Sequence, residues 1–397
     1  MNEDIAMAES QRETVANGKD ERNPPLHVAR GPATLVLLSL VAVVSFVAVS
    51  GLSRLYHAQQ DALGNRWFSR GSTDLKAQHY DRAVSEFRTA LLYSRGNYYY
   101  QLNLAEALIG LRRTAEAHAY FVNLWEREPE NGLVNLELAR IAAQWGQTDQ
   151  ALRYYHNAIY AVWPGDQEGQ RRDARLELIE FLLGANARAQ AQSELIALAA
   201  NLDDDPFQHA RAGDLFLRAQ DYEHALAEYR LSLKSERHNQ AVLAGAGRAA
   251  FELGRYNMGL RYLQAAVSLD PGDSQSAALM KTAALVLQMD PFRRQVSVTE
   301  RNQIVMEAFA VAGERLKACP SSASQTRSPA GGLQSLSENW GKMKPRMTPR
   351  SLRQDPDLAE AAMDLVFNIE RQSSIACGAP TGTDLALLLI AKLHEGN

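Results

Sequence analysis

Few residues in this chain have the types and spacing that catalysis or metal binding requires. Asp203, Asp204 and Asp205 stand together before Pro206, Cys319 and Cys377 are the only two thiols, and the nine histidines are scattered. Three adjacent carboxylates could hold a cation. Carboxylates immediately ahead of a helix also cap its free N–H groups, which accounts for the triplet without any ligand. The GxSxG of a nucleophile elbow, the HExxH of a zinc helix, the GxxxxGK of a phosphate loop and the GxGxxG of a Rossmann turn are all missing from the chain. So are CxxC and CxxCH, and two thiols are too few for a structural zinc site unless histidines join them. The expectation is therefore no metal, no cofactor, no small-molecule substrate and no enzyme activity. An enzyme with its centre in residues 300–397 is the distant alternative, and it would need paired polar side chains in a pocket there.

The two cysteines offer one disulfide, or else two unrelated buried thiols. In an oxidising compartment, closing a loop of nearly sixty residues would contribute about 4 kcal/mol on the chain-entropy view. Between them, Lys342, Lys344, Arg346, Arg350 and Arg353 make a basic run, suited to anionic lipid or an acidic partner and equally to plain solvation. Over the whole chain, 42 basic residues face 46 acidic ones for a formal charge of -4. That balance lacks the one-sign field nucleic acid needs, so no nucleic-acid partner is expected.

The elements that position these groups begin with a membrane segment. Residues 1–32 read as a disordered polar tail of mixed charge. Residues 33–53, ATLVLLSLVAVVSFVAVSGLS, carry no charge, and their length matches the ~20 residues a helix needs to cross ~30 Å of hydrocarbon. Ala48 and Ser50 before Gly51 offer the small-x-small pattern of a cleaved signal, but the lead before the segment is longer than a signal peptide ordinarily has. A single transmembrane helix is expected. Lys19, Arg22 and Arg30 before it balance Arg54, Arg66 and Arg70 after it, so charge does not orient it. A first hydrophobic segment ahead of a long domain, together with the late cysteines, favours a cytoplasmic tail and an extracytoplasmic domain.

Beyond that segment the chain repeats itself. Ala83, Ala117 and Ala151 lie 34 residues apart, each followed four residues later by an aromatic, Phe87, Phe121 and Tyr155. Ala191, Ala225 and Gly259 continue the series after a single step of 40, with the six extra residues assigned to an enlarged turn in Trp163–Gln170, WPGDQEGQ. Gly71, Ala105, Ala139, Gly213 and Gly247 recur about twelve residues before the second small position. Two helices per unit can therefore approach closely. His79, His118, His156 and His224 fall at or beside the second helix of a unit, on its surface. This spacing resembles the tetratricopeptide repeat family: Trp67, Gly71, Ala83, Phe87 and Ala90 follow its pattern in the first unit, and Gly247, Gly254, Tyr256, Ala266 and Pro271 in the last. Arg95 and Arg237 replace the closing proline, and Ile179 replaces the small residue of the fourth unit.

The resemblance implies an all-α solenoid of six helix-turn-helix units, 64–97, 98–131, 132–165, about 172–205, 206–239 and 240–273. A capping helix follows at 274–289, then a C-terminal helical module over 298–397 with helices near 299–317, 333–342, 356–375 and 382–394, interrupted by a Ser/Pro/Gly-rich stretch at 320–332. It further implies a concave groove lined by the first helix of each pair. In that phase the groove carries Lys76, Tyr99, Glu106, Arg140, Gln144, Asp173, Glu180, Asp214, Arg218, Arg248 and Glu252. Charges of both signs are present, without the cluster of Lys, Arg and Asn that grips a terminal carboxylate in chaperone-binding members. The alternation Glu106, Arg140, Glu180, Asp214, Arg248 equally suits a solvated ladder of ion pairs. The tyrosines Tyr98, Tyr99 and Tyr100 suit either an incoming segment or packing between repeats. The expected function is a non-enzymatic, membrane-anchored scaffold for peptide or protein partners, with an assembly or maturation factor for envelope complexes as the alternative.

Overall fold

The computed structural model describes residues 31–319 and 330–394. The expected polar tail up to residue 30 and most of the Ser/Pro/Gly-rich stretch lie outside them. Apart from an isolated bridge between Asn131 and Val162, the regular structure of the described residues is helical. The chain divides into two compact units, Met1–Arg127 and Glu128–Asn397.

The first unit contains α1 (Gly31–Lys76), α2 (Tyr80–Tyr93), α3 (Tyr98–Gly110) and α4 (Thr114–Arg127). The sequence points to a membrane segment ending near residue 53 and a separate first repeat helix from 64. The structure instead runs both as one helix of 46 residues. No proline falls in the join, and its glycines serve contact rather than breakage. A Cβ at Gly64 would lie 3.2 Å from the Tyr100 hydroxyl and 3.4 Å from Tyr93 Cβ, and one at Gly71 would lie 2.7 Å from the Phe87 ring. The second helices turn Ala83, Phe87, Ala117 and Phe121 fully inward.

The second unit opens with four helix pairs: α5 (Gly132–Gln144) with α6 (Thr148–Tyr160), α7 (Gln167–Gly184) with α8 (Arg188–Ala199), α9 (Pro206–Arg218) with α10 (Tyr222–Ser235), and α11 (Gln240–Glu252) with α12 (Tyr256–Leu269). Side-chain oxygens of Asn131, Asp166, Asp205 and Asn239 cap the first helix of each pair, satisfying an N–H that would otherwise lack a partner. Within the pairs, turns close at positive φ on Gly146 and Gly254, but also on Asn186 and Gln220. The repeat core is continuous from pair to pair, with Leu195, Phe216, Ala225 and Tyr229 fully buried.

The insertion differs from the expected enlarged turn. Only Ala161–Asp166 is loop, and α7 absorbs the remainder by lengthening to 18 residues, starting at Gln167 rather than 172. Trp163 explains why the loop stays tight: it is buried at 5 % exposure and its indole N–H donates to the Ala158 carbonyl at 2.8 Å. Its ring fills the space that a Cβ at Gly132 would need.

After the pairs come α13 (Ser274–Met289), α14 (Val298–Ala318), α15 (Ala330–Met343), a 3₁₀ turn at Lys344–Arg346, α16 (Pro349–Gln354), α17 (Pro356–Cys377) and α18 (Gly382–His394). The 3₁₀ turn and α16 stand where the basic run suggested loop. Phe251, Tyr256, Val286, Phe309, Met363, Val366 and Ile390 belong to one hydrophobic cluster. The C-terminal helices thus extend the core of the last pair and α13, closing the apolar end that an open solenoid would leave exposed.

Candidate functional site

The residues assigned to a groove all lie on first helices, and the structure places them as follows. In the first unit Lys76 ends α1, Tyr99 lies in the first turn of α3 at 67 % exposure, and Glu106 is half-buried further along α3. In the second unit Arg140, Gln144, Asp173, Glu180, Asp214, Arg218, Arg248 and Glu252 are exposed on α5, α7, α9 and α11.

Ion pairs join successive first helices, with partners other than those the alternation proposed. The Arg140 guanidinium donates to both oxygens of Glu177 on α7 and to Glu137 on its own helix. Glu180 pairs in two-point fashion with Arg218 on α9, at 2.9 and 2.8 Å. Glu177, one turn from Glu180, was not anticipated, although its i−3 position on the same helix face was the available signal. The Arg218 hydrogen bond holds the Glu180 carboxyl below its usual range. Burial first pushes the Glu137 carboxyl up, against the pull of Arg140. The exposed Glu180–Arg218 pair contributes only about 0–1 kcal/mol. Its two-point geometry orients both side chains more than it stabilises the fold.

Asp214 accepts the Tyr229 hydroxyl at 2.6 Å. Burial and that bond together raise the phenol well above its ordinary range. A Cβ at Gly213 would stand 2.8 Å from the same ring, so the small residue of α9 is what admits it.

Of the other chemical candidates, Asp205 caps α9 by accepting from the Phe207 N–H at 3.0 Å, while Asp203 and Asp204 approach Arg172 and His209 at 3.7 and 4.0 Å. Among the described residues no group of three or more His, Cys, Asp or Glu is placed to hold a metal. Cys319 and Cys377 have Cα atoms 5.7 Å apart across a sequence separation of 58, within the span of a disulfide.

Two buried polar arrangements escaped the sequence. His209 and Glu228 meet at 2.7 Å, 7 % and 9 % exposed. Glu370 on α17 is fully buried, with neither carboxylate oxygen hydrogen-bonded. Burial above all, with help from Asp384 and against Arg315, raises it to about 8. The available signal was an acid at the helical spacing of Met363, Val366 and Phe367, on the apolar face of α17.

Helix pairs at a 34-residue period, small residues at the crossing points and a capped apolar end define an α-helical repeat protein. Residues 241–273 match the tetratricopeptide repeat family model. That segment, the α11–α12 pair, therefore carries a tetratricopeptide repeat. No curated protein matches it. Among solved structures it is similar to YrrB, described as a TPR protein with an unusual peptide-binding site, at 14 % identity over 48 % of this chain and 95 % of that one, TM-score 0.39. It is similar also to pilF of Pseudomonas aeruginosa, at 16 % identity over 55 % and 97 %, TM-score 0.39. The C-terminal part of a TPR repeat-containing protein from Cytophaga hutchinsonii aligns at 11 % identity over 78 % and 99 %, TM-score 0.43.

Proposed function

We propose that the protein is a non-enzymatic, membrane-anchored scaffold whose first-helix face receives a peptide or protein partner. The observation carrying this reading is that α5, α7, α9 and α11 present Arg140, Glu180, Asp214, Arg218 and Arg248 exposed on successive first helices, with Arg140, Glu180 and Arg218 ordered by ion pairs and Asp214 by the Tyr229 bond. Charged side chains already held in place lose little freedom when a partner arrives, so they select by charge pattern at low entropic cost. The anchor is the N-terminal part of α1, where Leu35, Leu40, Phe46 and Leu52 are 59–73 % exposed along a helix of mean hydropathy 2.7 over its most apolar window. Such exposure has no counterpart in a water-facing helix of a stable protein, and hydrocarbon relieves it.

The approach of Cys319 to Cys377 favours an extracytoplasmic domain, because a disulfide persists on the oxidising side of the membrane. On that side the scaffold would serve assembly of envelope complexes. The test is site-specific photocrosslinking in the native cells from Gln144 and Arg248, with exposed Arg230 on α10 as control. Crosslinks from the first two positions, lost in the double charge reversal Glu180→Arg/Arg218→Asp without loss of thermal stability, are expected. Equal crosslinking from Arg230 would refute the groove assignment.

A further inference from the structure

The continuity of α1 fixes which edge of the first unit faces the bilayer. A helix that runs unbroken from the membrane segment into the first repeat must leave the repeats at the edge where first helices begin and second helices end. Two contacts calibrate that edge. Gly64 lies against Tyr93, the last residue of α2, and the Tyr100 hydroxyl in the first turn of α3 donates to Asn65 Oδ1 at 2.7 Å. The exposed apolar run of α1 ends with Leu55 and Tyr56, at 71 % and 59 %. From Tyr56 to Gly64 the helix rises only about 12 Å at ~1.5 Å per residue.

Side chains directed down from that edge therefore reach the headgroup layer, and their chemistry suits it. Leu92 and Tyr99 are 73 % and 67 % exposed, although a repeat protein in water gains nothing by showing them. Arg95, in the loop between α2 and α3, and Arg127, at the end of α4, are exposed on the same side. Arg127 lies over the Tyr98 ring, 5.4 Å from its centroid. Tyrosine with arginine is the pairing that settles at a membrane–water interface, the ring among the upper acyl carbons and the guanidinium on phosphate.

The geometry points to a second membrane attachment: the α2–α3 loop edge of the first unit, with Leu92, Arg95, Tyr99 and Arg127, rests on the lipid headgroups. The first unit is then held against the bilayer at a set orientation instead of swinging on a tether. This rests on the reading of α1 as a membrane span, and the experiment separates the two. The full chain is reconstituted into vesicles of phosphatidylcholine and phosphatidylglycerol at about 7:3. A polarity-sensitive fluorophore is attached at Tyr99→Cys or, as control, at Lys76→Cys, about 18 Å further up α1. Flotation with the vesicles after an alkaline wash reports the span. Quenching by a headgroup-linked nitroxide lipid reports the edge, and at least threefold stronger quenching at 99 than at 76 is expected, reduced by Arg95→Glu/Arg127→Glu. Flotation with equal, weak quenching at both positions overturns the second attachment, leaves the span standing and assigns Tyr99 to a protein partner. Failure to float overturns both.

Discussion

The Tyr229 hydroxyl donates to Asp214 Oδ1 at 2.6 Å, so the polar atom of a fully buried ring emerges on the exposed face of α9. The bond ties the interior of one helix pair to the exposed face of its first helix. Tyr229→Phe is expected to lower stability by about 1 kcal/mol, read as a shifted denaturant midpoint at constant slope. The vacated Asp214 carboxylate stays solvated, which is why the loss is small.

Gly213→Val is expected to cost more, about 1–3 kcal/mol, because added atoms meet a ring that has nowhere to move. Thermal unfolding of the variant beside Tyr229→Phe separates the two. Restoration of stability in Gly213→Val/Tyr229→Leu would show that the ring is the obstacle.

Ala225 is fully buried within the repeat core. Ala225→Asp places an unpaired carboxylate there and should lower stability by about 3–5 kcal/mol, measured by circular dichroism melting. A variant as stable as the parent would contradict the close packing of α9 on α10.

Glu370 carries a pH dependence whose sign follows from its raised value of about 8. The unfolded chain releases this proton near pH 4.5 while the folded chain keeps it, so the stability it contributes is full below about 4.5 and is lost as pH rises towards 8. Glu370→Gln, which cannot ionise, should melt higher than the parent at pH 8 and flatten the decline between pH 5 and 8. Parallel melting curves for the two proteins across that range would contradict it.

The link proposed for Cys319 and Cys377 is expected to contribute up to about 4 kcal/mol through the loop it closes. Non-reducing mass analysis of the purified chain, with reductant lowering the melting temperature of the parent and leaving Cys319→Ala/Cys377→Ala unchanged, checks it.

Much of the fold was legible because repetition amplifies weak signals. Ala83 or Ala117 alone says little, but the recurrence of small residues with an aromatic or a leucine four positions on states a helix crossing six times. The helix expected at 274–289 rested on its own apolar residues, Ala277, Leu279, Ala283, Leu285 and Leu287 among them, and α13 spans Ser274–Met289. The candidate site was legible only in phase. Arg140 and Glu180 were placed on the first helices, but their partners, Glu177 and Arg218, depend on the stagger between neighbouring pairs, to which a linear period is blind.

By itself the sequence determined the period, the helix pairs, the apolar segment and the positions where only a small residue fits, because local spacing and side-chain volume encode all of these directly. Tertiary structure alone decided three things. It merged the apolar segment with the first repeat into one helix, since Gly64 and Gly71 take up the Tyr93, Tyr100 and Phe87 side chains instead of ending a turn. It joined the C-terminal helices to the core of the last pair, because which apolar faces meet depends on loops that carry no period. And it buried Glu370 without a partner, an outcome that no local pattern predicts, because desolvation is a property of what surrounds a residue in space.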